Sequence, residues 1–443
     1  MSVPRVKSRT PYVEAPHPLE IAGCRALVGE TVTLHGFLAD IRRYPKVTFL
    51  SLRDHTGAIQ IVCKRHDLLE EVRSLTRNSA IRVNGIIKAG RGEEIELEAL
   101  GIAVLNVAEP CALREASARS PAMRFLTMRE PREQLICAVR TTLLNLLRGT
   151  LLEQGYREIQ TPKITAAGCE SGAAVFNLSF FGEPACLVQS PQFYMQMAMA
   201  AGFGRVFEIG PVFRAEPSKT NRHAAEFSCL DVELSWISSH HDLMEVEESL
   251  LCRLLEELAR LHGQDIERQF EIPVGRIDAP IPRISFEEAL SIARNGSLAL
   301  RTDRLSPQDE QIICKKLSQR TGSDFVFITD YPADDRPFYT MRDDGSSKAS
   351  RSFDLLWRGV EITSGCQREH RFSNLATQIE AAGIDEETRA RYLAPFYLTM
   401  FRHGCPPHGG FGLGIDRFLF MLLGCSSIAD VSFVFRGPEG LMP

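Results

Sequence analysis

The stretch that most restricts what this chain can fold into spans residues 205–237, RVFEIGPVFRAEPSKTNRHAAEFSCLDVELSWI. It reads as strand, loop, strand. Side chains alternate along a strand, so Arg214 and Glu216 share one face where the first strand ends, and Phe213 and Ala215 take the other. The return strand gathers Phe227, Cys229, Asp231 and Glu233 on one face. The loop between, residues 217–223, carries Lys219, Arg222 and His223. One side of the hairpin therefore holds a guanidinium, an aromatic ring and several carboxylates. That is too much charge for a core face, because buried charge is costly unless paired. Two arrangements satisfy it. One is a surface hairpin laced by weak ion pairs. The other is the wall of a site for a ligand with phosphates, a flat base and an amine.

The flanking patterns supply a scaffold. Pro131 opens a helix with Leu135, Ile136, Val139, Leu143, Leu146, Leu147 and Leu151 at helical spacing, and Gly155 stops it. YREIQTP then reads as a strand ending at Pro162. A second helix is capped by Ser239 and Asp242. Its stripe is Leu243, Val246, Leu250, Leu254 and Leu258, with Gly263 beyond its end. From Thr31 to about Leu105 come five short strands with turn signals and a helix over 66–77. This pattern predicts a small Greek-key barrel of the oligonucleotide-binding (OB) type. The expected organisation is α+β. It comprises a flexible arm at 1–18, the barrel at 19–110, a Pro-containing hinge at 111–130 and a larger domain at 131–443. Residues 264–340 give mixed signals.

A chain of 443 residues accommodates two or three such domains. Its net charge of −5 gives no global attraction to nucleic acid. Arg42, Arg43, Lys46, Arg53, Lys64 and Arg65 nonetheless cluster in the barrel. Such a cluster binds a phosphate backbone or is simply a solvated face. The 12 cysteines never fall as C-x-x-C, which argues against a zinc knuckle or redox motif. Several sit in apolar runs as small buried hydrophobes, as a reducing cytoplasm allows. The first 18 residues lack an apolar segment, and no uninterrupted run of about 18 apolar residues is evident, so neither a leader nor a membrane span is expected.

Two later stretches carry chemistry. SFDLLWRGVEITSGCQREH, residues 352–370, reads as a hairpin turning at Arg358-Gly359. Leu356 then faces Glu361, and Asp354 points the same way on the neighbouring strand. Two carboxylates so placed suit a Mg²⁺ ion, with Ser364 as a further oxygen, or form a solvent-facing acidic pair. CPPHGGFGLGIDRFLFMLLG, residues 405–424, combines glycines that admit close backbone approach with an amphipathic helix. Arg417 falls in the first turn of that helix, where the dipole disfavours a cation unless an anion is held there.

Together these pieces resemble the class II aminoacyl-tRNA synthetases. The helix and strand ending at Pro162 look like that family's motif 1, FRAE (213–216) like motif 2 and GLGIDR (412–417) like motif 3. The barrel and the phrases TPKI, SPQFYMQ, RGVEITSGCQREH and PPHGGFGLG are most similar to archaeal-type, non-discriminating aspartyl-tRNA synthetases. The resemblance implies amino-acid activation by ATP with Mg²⁺, then transfer to a tRNA of the Asp or Asn type, by a cytoplasmic homodimer. Carried over by position, Arg214, Glu216 and Arg417 are the catalytic residues. Arg222, His223, Phe227, Glu361, Gly412 and Gly414 complete the ATP site. Asp354, Glu361 and Ser364 would hold Mg²⁺. Glu170, Gln192, position 195, Asp231, Ser364 and Arg368 would hold the amino acid. Phe49, Gln60 and Glu96 would read an anticodon base, by stacking and hydrogen bonds.

Two positions depart from the family pattern. Met195 stands where the family has a lysine that pairs with the substrate's side-chain carboxylate. The chain ends FVFRGPEGLMP rather than in a Phe-Pro-Arg-Asp sequence with a basic run. The first departure opens an alternative, a paralogue that activates asparagine or a metabolic substrate. A non-catalytic tRNA-binding protein is a third reading, opposed by the presence of Arg214, Glu216, Asp354, Glu361 and Arg417.

Overall fold

The computed structural model describes residues 18–90, 92, 94–110, 123–166, 168–169, 174–294, 304–344, 346–384, 386–438 and 441. The arm at 1–17, hinge residues 111–122 and Glu170 lie outside these. The chain falls into two compact units, residues 1–134 and 135–443.

The first unit contains a closed five-stranded barrel. Its strands are β1 (Thr31–Tyr44), β2 (Val47–Arg53), β3 (Ala58–Cys63), β4 (Ala80–Ala89) and β5 (Ile95–Asn106), in the order β1-β2-β3-β5-β4. Alternation explains closure: Leu50 and Leu52, Ile59 and Ile61, Ile81 and Val83 all point inward and are buried. Helix α1 (His66–Glu71) and a single 3₁₀ turn, Val72–Ser74, are shorter than the helix expected to Arg77. Leu75 leaves the helix in an extended conformation because its side chain is drawn into the barrel core.

The second unit is built on an eight-stranded sheet. Its helix α2 (Pro131–Glu153) leads to β6 (Arg157–Glu158). A small sheet follows, of β7 (Ile164–Thr165), β8 (Asn177–Phe180) and β9 (Glu183–Leu187). Then come α3 (Gln192–Ala200), the hairpin β10 (Arg205–Phe213) and β11 (Glu226–Ser235), and α4 (His240–Phe270). Residues 264–340 resolve into the end of α4, β12 (Arg283–Ser285), α5 (Phe286–Arg294), α6 (Pro307–Thr321) and β13 (Phe325–Thr329). The chain closes with β14 (Arg342–Asp343), β15 (Ser346–Ser350), β16 (Ser352–Trp357), β17 (Val360–Gln367), α7 (Phe372–Ala381), β18 (His408–Gly414) and α8 (Ile415–Leu422). The main sheet runs β12-β13-β16-β17-β18-β11-β10-β6 and is antiparallel at its centre.

Period-2 patterning sorts its faces. Leu230, Val232, Phe353, Leu355, Phe411 and Leu413 pack with α2, α4 and α8 in one core. Val326, Ile328 and Leu356 face the other way, against α5 and α6. The charged residues of the central strands lie on that second face.

Three local expectations need correction. The first hairpin strand ends at Phe213 rather than Glu216, because Ala215 N turns away to Ala174 O at 2.9 Å and Pro217 has no N–H to continue the ladder. YREIQTP pairs only at Arg157–Glu158; the Glu208 carboxylate captures Thr161, accepting from its N at 3.0 Å and its Oγ1 at 2.7 Å. Helix α4 runs through Gly263 to Phe270. One interior glycine costs about 1 kcal/mol, which the buried Ile266 beyond it offsets, and Glu271 ends the helix at φ 57°. Among the described residues, α2 is the one helix long and apolar enough, by length and composition alone, to cross a membrane. Its Ile136, Val139, Leu143, Leu147 and Leu151 are buried in the sheet's core.

Candidate active site

The three central strands β17, β18 and β11 form the floor of a cavity of about 330 Å³. Gly412 lies between Asp231 on one neighbour and Ser364 on the other. A Cβ at Gly412 would stand 3.3 Å from Asp231 Oδ1 and 3.4 Å from Cys229 Sγ, so glycine keeps the floor low. At Gly410 the restriction is harder. A Cβ there would lie 2.0 Å from Val232 O and 2.2 Å from Glu233 Oε2.

The cavity brings together Gln192, Arg214, Glu216, Arg222, His223, Phe227, Asp231, Glu361, Ser364, Arg368, Gly412, Gly414 and Arg417. These come from α3, the β10–β11 hairpin, β17 and the residue that follows it, β18 and the first turn of α8. Arg214 lies with its guanidinium carbon 5.5 Å from the centre of the Phe227 ring, so a cation and a flat apolar surface are side by side. Burial lowers the His223 pKa, Arg417 adding to the effect, while Glu216 opposes it. The histidine therefore sits among Arg417, Glu216, Arg222 and Arg214, from two distant stretches of chain. Two named residues do not line the cavity. Asp354 is held by Arg336, which does line it, and Met195 packs with Ala198, Met199 and Val206.

The guanidiniums arrive with carboxylate partners. Arg417 donates to Glu361 O at 2.9 Å and to its Oε1 at 3.2 Å. This carboxylate is the anion that position 417, in the first helical turn, called for. Arg222 meets Glu310 at 3.1 Å, and Arg368 meets Glu233 at 3.1 Å. Burial pushes Glu310 up to about 7, with Glu361 adding and Arg222 opposing.

The expected metal trio takes a different form. Asp354 and Ser364 are cross-strand partners, but Arg336 fills the position between them, donating to both Asp354 oxygens and to Ser364 Oγ at 3.0 Å. A bulge between Leu355 and Leu356 shifts the register on the way to Glu361. No group of three His, Cys, Asp or Glu side chains among the described residues is placed to hold a metal ion. Of the three, Glu361 and Ser364 line the cavity wall, where their oxygens would suit a Mg²⁺.

Glu233, Arg336, Glu310 and Asp416 escaped assignment to the site from sequence. Asp416 is buried, accepts from Ser228 N at 2.9 Å and pairs with Arg140 of α2, tying three motifs together. Its one sequence signal was a carboxylate beside Arg417. The altered C-terminus packs on the hairpin, where Arg436 O accepts from Ala225 N at 2.8 Å.

In the barrel, Phe49, Gln60 and Glu96 also converge. Gln60 and Glu96 are paired across β3 and β5, with Gln60 Nε2 donating to Glu96 Oε2 at 3.3 Å. Arg42, the strand partner of Phe49, donates to Gln60 Oε1 at 2.8 Å. The exposed Tyr44 stands edge-on to Phe49 at 6.0 Å.

A barrel of nucleic-acid-binding form and a sheet-floored cavity with arginines from two distant motifs define a class. The family model for class II tRNA synthetases (D, K and N) matches residues 118–435, and that for the OB-fold nucleic acid binding domain matches residues 32–105. The chain belongs to the class II tRNA synthetases of the D, K and N group. Within it, an Aspartate--tRNA(Asp/Asn) ligase of Aeropyrum pernix is 37% identical, with 96% of this chain and 98% of that protein covered. One of Methanopyrus kandleri is 35% identical over 94% and 96%. Among solved structures, asparaginyl-tRNA synthetase from Pyrococcus horikoshii complexed with asparaginyl-adenylate superposes with TM-score 0.86 at 29% identity, covering 96% of this chain and all of the other. Aspartyl-tRNA synthetase from Entamoeba histolytica does so with TM-score 0.83 at 26% identity, over 100% and 96%.

Proposed function

We propose that the enzyme activates aspartate with ATP and transfers it to the terminal ribose of a tRNA of the Asp type, and of the Asn type where one is offered. The reading rests on one observation above all: Arg214 and Arg417, more than half of the catalytic domain apart in sequence, border one cavity together with Phe227. The named relatives favour aspartate over the alternative of a paralogue with another amino acid.

The chemistry is an in-line attack of the amino-acid carboxylate on the α-phosphate. Both partners are anionic, so catalysis is mainly positioning and charge stabilisation. Arg214 is assigned to the α-phosphate and the attacking carboxylate. Arg417 and Arg222 exchange Glu361 and Glu310 for the outer phosphates, with His223 beside them. The adenine stacks on Phe227, and Glu216, Gly412 and Gly414 complete the nucleotide site. Mg²⁺, held by Glu361 and Ser364, would screen the triphosphate. Asp354 contributes through Arg336. Asp231 and Gln192 are assigned to the substrate ammonium, in company with Glu170, and Arg368 to its side chain. Phe49, Gln60 and Glu96 are assigned to an anticodon base. We further infer a homodimer assembled through the helix and strand at 131–162.

Amino-acid-dependent ATP–pyrophosphate exchange tests the reading. Exchange with aspartate, followed by charging of tRNA of the Asp type, is the expected result. Exchange only with another amino acid would overturn it.

A further inference from the structure

Arg368 is the cation assigned to the substrate side chain, yet it already has a carboxylate. Its Nε and Nη2 donate to Glu233 at 3.2 and 3.1 Å, and Nη1 reaches Cys366 Sγ at 2.7 Å. Arg368 is 6% exposed and Glu233 1%, so this is a neutral pair in a nearly dry setting. Gln192 adds only a neutral amide, 3.4 Å from each Glu233 oxygen.

Of the cations that line the same cavity, Arg336 is closed on Asp354 and Arg214 lies against Phe227, and the titratable groups of β18 and its neighbouring loops are uncharged. His408 on β18 is fully buried, and burial holds it down at about 4. His370, near it, is lowered for the same reason. Burial also pushes Cys405 up to about 12 and Tyr397 upward. All four groups are therefore neutral near pH 7. The remaining side is α3. Val206 is the strand partner of Glu233 and shares its face, and Met195 packs on Val206 at 1% exposure. Met195 itself stays outside the cavity lining, and the helix that covers this face, QFYMQMAMA, brings no cation to the pair.

We propose that the subsite takes up the side-chain carboxyl of aspartate together with one proton, and that Met195 imposes this requirement; the proposal rests on the aspartate reading above. A carboxylate placed beside a neutral buried pair leaves one negative charge uncompensated. Two carboxylates sharing a single buried guanidinium disfavour each other's ionised form, so one of the two pKa values rises, and the protonation belongs to the pair. The proton comes from solvent and rests on the substrate carboxyl or on Glu233. His408 Nε2, buried without a hydrogen-bond partner, is a third place for it. No covalent bond changes. A neutral amide side chain needs no proton.

Calorimetry of the full-length enzyme with aspartyl-sulfamoyl-adenosine, in buffers of different ionisation enthalpy at pH 7.5, counts the protons. The aspartyl analogue should take up about one proton per site more than the asparaginyl analogue, the shared α-ammonium contributing equally to both. Met195→Lys supplies the missing cation and should remove the uptake. Glu233→Gln, nearly isosteric, should do the same by freeing Arg368, and it serves if the buried lysine prevents folding. Wild-type binding of the aspartyl analogue with no uptake beyond that of the asparaginyl analogue would overturn the proposal and leave the aspartate reading intact. An aspartyl analogue that fails to bind, where another aminoacyl analogue binds, would overturn both. Uptake that persists undiminished in Glu233→Gln would also exclude this mechanism.

Discussion

Arg336 closes both terminal nitrogens on the Asp354 carboxylate, Nη1 to Oδ1 at 2.9 Å and Nη2 to Oδ2 at 2.7 Å. Their side chains are only 13% and 9% exposed. Bidentate geometry of this kind fixes orientation as well as charge. It holds the 335–340 segment against β16.

Removing one member of such a pair leaves a buried charge without its partner, at a cost of about 3–5 kcal/mol. Arg336→Ala should therefore lower the urea midpoint strongly, and ATP–pyrophosphate exchange with it. An unchanged midpoint would show that the pair holds nothing in place.

Arg417→Ala removes a cation assigned to the outer phosphates. Exchange should fall roughly a hundredfold or more, the range seen when one preorganised charge-stabilising donor is lost. The tRNA dissociation constant, measured by filter binding, should not move. Lost tRNA affinity with normal exchange would misplace this residue.

Phe49→Ala deletes the ring beside Gln60 and Arg42. Stacking of one base is worth about 1–3 kcal/mol, so tRNA should bind about tenfold more weakly or worse. Amino-acid activation without tRNA should be untouched. Equal tRNA affinity in the variant would remove Phe49 from the interface.

Glu247 on α4 gives a pH signature. It is fully buried, and burial pushes its pKa from 4.5 up to about 8. Between those values the folded chain keeps a proton that the unfolded chain has released. Stability from this group is present below 4.5 and is lost as pH rises toward 8. Glu247→Gln should flatten that decline in urea midpoints taken from pH 5 to 8. A decline as steep as in wild type would contradict the assignment.

The elements were legible where one residue pattern dictated one geometry. The hairpin at Arg358-Gly359 set Leu356 opposite Glu361, and the alternation in β11 gathered Phe227, Cys229 and Asp231 on the cavity side. What sequence hid was long-range partnership. Nothing local marks Arg336 as the occupant between Asp354 and Ser364, or Glu233 as the counter-ion of Arg368, because each pairing spans separate strands or loops. Gly263 misled for a related reason: the helix around it is held by tertiary burial of Ile266, which overrides a local breaker.

The bare position at Gly410 has a practical corollary. With Val232 O and Glu233 Oε2 both within 2.2 Å of where a Cβ would sit, any larger residue there dislodges the carboxylate that Arg368 grips. Attempts to retailor this enzyme for unnatural amino acids should leave that strand alone and vary residues 192 and 195 on the covering helix.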